Sequence, residues 1–202
     1  MGCGSRQHEQ APAPGRGERR QRVPARLSYS GVVVGQHTLA VMKSAFKLSV
    51  VRSVVAGSLA SVFSAVALVL CGQRETGSPA ATLNAVSHWC WREEALYRQG
   101  ADVRHTVLGY LIHHGASVFW GALLAWALHG KPASKPAHVA VAGIATSAVA
   151  CFVDFRLTPE RLTPGFEHRL SRRSLAVVYG AFAAGLAVGF LLMGGRKARD
   201  RA

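Results

Sequence analysis

His113 and His114 stand side by side inside a long apolar run, and Asp154 closes another. Ionisable groups in such surroundings are costly to keep and normally face a partner. Consecutive helical residues point about 100° apart, so the two imidazoles must serve different targets. Three roles compete for His113. It is a neutral ring bonded to a neighbouring helix, a proton relay working near the ordinary histidine pKa of about 6.5, or a ligand to a metal or haem. Asp154 has two readings: an interfacial carboxylate paired with Arg156, or a proton or cation site facing His113. His88 and His105 add imidazoles at the same end, but His105 and His113 are two helical turns apart, about 12 Å, too far to share one ion. His113, His114 and Asp154 therefore form the candidate polar site. No hydrolase triad, P-loop, dinucleotide-binding glycine pattern or zinc spacing accompanies them. No catalytic residue, metal ligand or cofactor is assigned, and an enzyme is not the expectation.

The elements that must position these residues are four apolar stretches, at residues 49–70, 106–128, 137–155 and 175–193. A helix needs about 20 apolar residues to cross a hydrocarbon core of about 30 Å. Three stretches satisfy this directly. In the third, only residues 139–153 are free of ionisable groups, which gives about 23 Å and requires His138 and Asp154 at its margins. The expected fold is all-α: an integral membrane bundle of four transmembrane helices, with residues 46–202 as the domain. Each stretch carries a row of small residues at four-residue spacing: Ser53, Gly57, Ser61 and Ala65; Gly109, His113, Ser117, Gly121 and Ala125; Gly143, Ser147 and Cys151; Ala181, Gly185 and Gly189. Such rows let backbones approach closely where lipid supplies no hydrophobic force between helices. Gly109, Gly121, Gly185 and Gly189 are thus the candidate helix-packing glycines.

The first and third connections carry further chemistry. In residues 77–91, Ser78 can N-cap a helix with Pro79 at its first position. Leu83, Val86 and Cys90 then share a face, with Trp89 and Trp91 at headgroup level, so a short interfacial helix is expected here. Arg92, Glu93, Glu94 and Arg98 read as a solvated, self-neutralising stretch. The third connection repeats Arg-Leu-Thr-Pro at residues 156–159 and 161–164. Each proline biases the preceding threonine away from helix, and each threonine can cap the turn that follows. The result is a stiff loop over one end of the bundle, either a rigid turn or a docking loop presenting Thr158, Pro159, Thr163, Pro164 and Phe166. The segments HTVLGYLIHHGASVFW (105–120), DFRLTPERLTPGFEHRLSRRSLAVVY (154–179) and LNAVSHW (83–89) together resemble an uncharacterised group of small bacterial inner-membrane proteins. That resemblance implies a bacterial inner membrane and supports Met42 as a translation start. It implies no activity.

Residues 1–45 are basic and rich in Gly and Pro, with few aliphatic residues at their start, and are expected to be disordered. The sequence Met-Lys-Ser-Ala-Phe-Lys from Met42 reads as a natural start before a retained membrane anchor. Lipidation at Cys71 wants a small residue before it, and Leu70 is not small. The four cysteines form no CxxC pair; a Cys71–Cys90 bridge requires an oxidising compartment. The formal charge of +14 sits at the flanks of apolar runs and meets lipid headgroups, with no nucleic-acid motif beside it. Fifteen Lys and Arg lie on the side of the termini and nine on the other, which places both termini in the cytoplasm. With Met42 as the start the balance is even. The functional expectation is a non-enzymatic membrane scaffold or accessory factor, with a membrane-protein partner or a second copy of itself. The alternative is a small transporter or channel subunit using His113 and Asp154.

Overall fold

The computed structural model describes residues 1–2, 26–128 and 135–199, the side chains of 26–37, 40–41, 45 and 194–199 excepted. The chain divides into two units, Met1–Val41 and Met42–Ala202. The disorder expected over residues 1–45 falls mainly on 3–25, outside the described residues; from Arg26 the backbone is helical. The helices are α1 (Arg26–Thr76), α2 (Ala81–Val86), α3 (His88–Trp91), α4 (Glu93–Tyr97), α5 (Leu108–Ala127), α6 (Pro136–Phe152) and α7 (Arg172–Arg199), with no strand among the described residues. Four segments, Met42–Thr76, Val103–Ala127, Pro136–Leu157 and Arg172–Met193, are long and apolar enough to cross a membrane. The third gains its length because α6 continues through a π-helical turn, Val153–Leu157, which carries Asp154. A matching π turn, Val103–Val107, leads into α5.

Within the second unit, α1 is the hub, running antiparallel to both α5 and α7. The small-residue rows explain why. A Cβ placed on Gly121 would lie 2.6 Å from the Ser53 carbonyl oxygen and 2.9 Å from the Gly57 Cα. On the other side, a Cβ on Gly185 would lie 2.5 Å from the Ala60 Cα, and one on Gly189 2.6 Å from the Ala56 Cα. These separations leave no room for any side chain, so backbone rests on backbone. α6 packs on α7 through Gly143, which faces the Ala183 carbonyl, and through the Ser147 hydroxyl, which donates to the Tyr179 carbonyl at 2.7 Å. The far half of the bundle is filled by Leu124, Val139, Leu186 and Phe190 around Ala56 and Ala60. At the near end Glu75 of α1 accepts from the Ser171 N–H at 2.6 Å and from the Ser171 and Ser174 hydroxyls. A carboxylate there satisfies the first turn of α7 and suits its dipole.

The interfacial helix expected in the first connection is absent in that form. All six residues of α2 are buried, polar ones included. Gly109, expected between long helices, instead abuts the Leu83 carbonyl of α2. Hydrogen bonds make this burial tolerable. Thr82 Oγ1 donates to the Leu68 carbonyl at 2.9 Å, and Asn84 Nδ2 donates to the Arg98 and Gly100 carbonyls at 3.1 and 3.0 Å. Thr106 Oγ1 donates to Asn84 Oδ1 at 2.6 Å. Ser78 does not cap the helix; the cap position is Ala80, whose N–H reaches Ser78 Oγ at 3.2 Å. Cys71, Cys90 and Cys151 are free thiols.

Backbone contact at Gly185 sets a steep local penalty. Gly185→Ala is expected to destabilise the purified protein by about 1–3 kcal/mol, the usual scale of overpacking. Gly180→Ala, whose Cβ would meet open space, is the control and should leave thermal unfolding in detergent unchanged. Equal midpoints for the two variants would contradict the seam.

Candidate functional site

Where α1 ends and α5 begins, the four long helices stand apart around a cavity of about 600 Å³. α1 contributes Ser64, α5 His113, Phe119 and Trp120, α6 Asp154, and α7 Tyr179 and Phe182. The two connections close its end with Trp89, Thr158, Pro164 and Phe166. His113 and Asp154 thus share one cavity wall, as one of the sequence expectations required. His114 does not join them. It packs beside the Tyr110 ring, with centroids 5.9 Å apart, and its Nδ1 is buried without a hydrogen bond.

Most polar groups in the cavity have local partners. Ser64 Oγ donates to the Ala60 carbonyl at 2.7 Å and lies 2.9 Å from His113 Nε2, a hydrogen bond that ties α1 to α5 and whose direction follows the imidazole tautomer. Tyr179 Oη donates to Asp154 Oδ2 at 2.7 Å. Tyr179 is held in place by the edges of the Phe155 and Phe166 rings, at 5.8 and 6.5 Å. No ion pair joins Asp154 to Arg156 among the described residues, so the interfacial pairing is corrected: Asp154, four residues after the buried Ala150, lines the cavity, while Arg156 is exposed. No group of three or more His, Cys, Asp or Glu among the described residues is placed to hold a metal.

The candidate docking loop turns inward. Phe166 is 4% exposed and belongs to the core with Leu68, Val86 and Val178. Of the five loop residues, Thr158, Pro164 and Phe166 line the cavity, and Pro159 is exposed. The threonine hydroxyls reach back rather than forward: Thr158 Oγ1 donates to the Val153 carbonyl at 3.0 Å and Thr163 Oγ1 to the Glu160 carbonyl at 3.0 Å. Trp89 Nε1 donates to the Thr163 carbonyl at 2.8 Å, and Arg161 returns a bond to the Trp89 carbonyl at 3.2 Å. The two connections meet most closely at Gly165, where φ is +84° and a Cβ would stand 2.6 Å from His88 Nδ1. A glycine is required there on both counts.

A second polar cluster was not legible as one. His105, 2% exposed, lies between two carboxylates: Nδ1 is 3.0 Å from both oxygens of Asp102, and Nε2 is 3.5 Å from Glu94. Arg104 sits over the Trp91 ring at 4.0 Å and 3.7 Å from Glu94, while Arg98 pairs with Asp102 at 3.2 Å. The expectation that Arg92, Glu93, Glu94 and Arg98 neutralise one another is corrected: among the described residues their ion pairs reach outside the stretch, Arg98 to Asp102 and Glu94 to Arg104 and His105. The available signal was Asp102 at cap position three residues before His105. Ser64 and Tyr179 were likewise not singled out, although a tyrosine in an apolar helix needs a partner for its hydroxyl.

The Asp102 carboxyl is held below the ordinary aspartate range, first by the His105 backbone N–H at 2.7 Å, then by the His105 side chain and Arg98, against a smaller opposing effect of burial. A lowered folded pKa contributes stability above the unfolded value near 4, and that contribution is lost as pH falls through the lower folded value. Acidification from pH 7 to below about pH 4 should therefore weaken wild type through this group. Asp102→Asn should show a smaller acid-dependent loss in thermal unfolding; an equal loss would remove Asp102 from the explanation.

Comparison with family models, with curated proteins and with solved structures returns no match to this chain.

Proposed function

We propose that the chain is a multi-pass integral membrane protein that acts as a non-enzymatic scaffold or accessory factor. The observation that carries this reading is the apolar filling of the bundle's far half. Leu124, Val139, Leu186 and Phe190 fill that half, and polar groups beside them are scattered rather than chained: Ser53 and Ser117 bond back to carbonyls of their own helices, and Arg52 lies over the Phe190 ring. Outward-facing aliphatic side chains support the membrane setting: Val66, Ile144 and Leu192 are 53%, 62% and 59% exposed. Water would penalise so broad an apolar surface, whereas hydrocarbon solvates it, and the helical backbone is internally bonded as lipid demands. The resemblance of residues 83–89, 105–120 and 154–179 supports a bacterial inner membrane. The excess of Lys and Arg on the side of the termini supports a cytoplasmic location for both. The partners are lipid and either another membrane protein or a second copy, and no nucleic acid.

A second reading, a small transporter or channel subunit, draws on the shared cavity of His113 and Asp154. Reconstitution separates the two. Vesicles carrying the protein and a trapped pH indicator should hold an imposed proton or cation gradient as long as protein-free vesicles do. Flux that His113→Ala or Asp154→Asn abolishes, with thermal unfolding unchanged, would overturn the scaffold reading in favour of transport.

A further inference from the structure

We propose that the cavity beside Asp154 is a binding site for a lipophilic cation, an amine or onium centre carried on an apolar body. The polar atoms it offers are acceptors. Asp154 Oδ2 already receives the Tyr179 hydroxyl, and Oδ1 receives no donor among the described residues. His113 Nε2 is spent on Ser64. The donors on the wall are committed elsewhere, Trp89 Nε1 to Thr163, Thr158 Oγ1 to Val153 and Ser64 Oγ to Ala60, the Trp120 indole N–H apart. Among the described residues no lysine or arginine lines the cavity. An anionic head would find a carboxylate and almost no donor. A cationic head would find the Asp154 carboxylate, which has no ion pair among the described residues.

The walls favour the same class of ligand. Trp89, Phe119, Trp120, Phe166, Tyr179 and Phe182 surround the space, and the faces of aromatic rings attract cations, more strongly where water is scarce. A volume of about 600 Å³ suits a ligand of drug size, with orientation set by few polar groups. Entry is lateral. Leu111 and Phe119 on α5 line the cavity and are 57% and 58% exposed, and Gly115 between them meets no neighbour. This exposed rim lies along the flank of α5, so a molecule already dissolved in hydrocarbon reaches the site without crossing the loops. The route rests on the membrane reading above; the binding chemistry does not, and it holds whether or not the chain conducts ions.

Tetraphenylphosphonium, titrated by calorimetry into the full chain in zwitterionic nanodiscs, is the probe. Empty nanodiscs supply the partition blank. The expected result is saturable one-to-one binding that quenches tryptophan fluorescence. Asp154→Asn, which keeps an acceptor for Tyr179, should weaken binding roughly tenfold or more. Phe119→Ala, at the exposed rim, should weaken it severalfold. Triphenylphosphine oxide, a neutral body of similar build, should bind roughly tenfold or more weakly to the unmodified protein. That comparison decides the matter even if a variant does not fold. No saturable binding, equal affinity for the neutral compound, or full affinity in a folded Asp154→Asn protein would each overturn the proposal.

Discussion

The rest of the structure depends on two adjoining faces of α1, where two other helices rest on bare backbone. Ala56 and Ala60 meet Gly189 and Gly185 of α7; around the same turns, Ser53 and Gly57 meet Gly121 of α5. At such separations dispersion is gathered from main-chain atoms, which lose no rotamer freedom on packing. In a lipid solvent, where apolar side chains gain little by leaving hydrocarbon, close approach of this kind is the main source of helix association. It also fixes register, because a shift of one residue would drive a side chain into a carbonyl.

The register in turn creates the cavity. With α1 clamped to both neighbours through its middle, Ser64 arrives opposite His113, and the ends of α5, α6 and α7 are left to splay. The two connections then close that end by burying polar residues among hydrogen bonds rather than by apolar packing alone. Thr82 and Asn84 are fully buried, and each is bonded to backbone or side-chain groups distant in sequence. π turns appear at both entrances, carrying His105 and Asp154. Both residues continue the inward rows of their helices: His105 stands four residues before Gly109, and Asp154 four after Ala150.

Contacts between distant elements mark the limit of what the sequence made legible. The long helices were readable from hydrocarbon length and composition, and the packing glycines from four-residue spacing, because both signals are local. Ser64 was missed because it lies off the row of Ser53, Gly57 and Ser61, on a helix buried along two faces rather than one. Tyr179 was missed because its partner is 25 residues away and becomes a neighbour only when α6 packs on α7. The first connection reads as an interfacial amphipathic helix by composition. Its burial depends on Asn84 finding Arg98, Gly100 and Thr106, which no periodicity reveals. The Arg-Leu-Thr-Pro repeat marked a loop that breaks the helix at Thr158, but not that Phe166 would face inward beside the left-handed Gly165.

A tryptophan scan along α1 from Ser53 to Leu70, read as the yield of folded protein extracted from membranes, tests the central claim most directly. An indole should be tolerated at the outward positions Val54, Val62, Val66 and Leu70, and rejected at Ser53, Ala56, Gly57, Ala60 and Ser61, which are buried against the neighbouring helices. A uniform profile, or one in which the outward positions are the sensitive ones, would contradict α1 as the hub of the bundle.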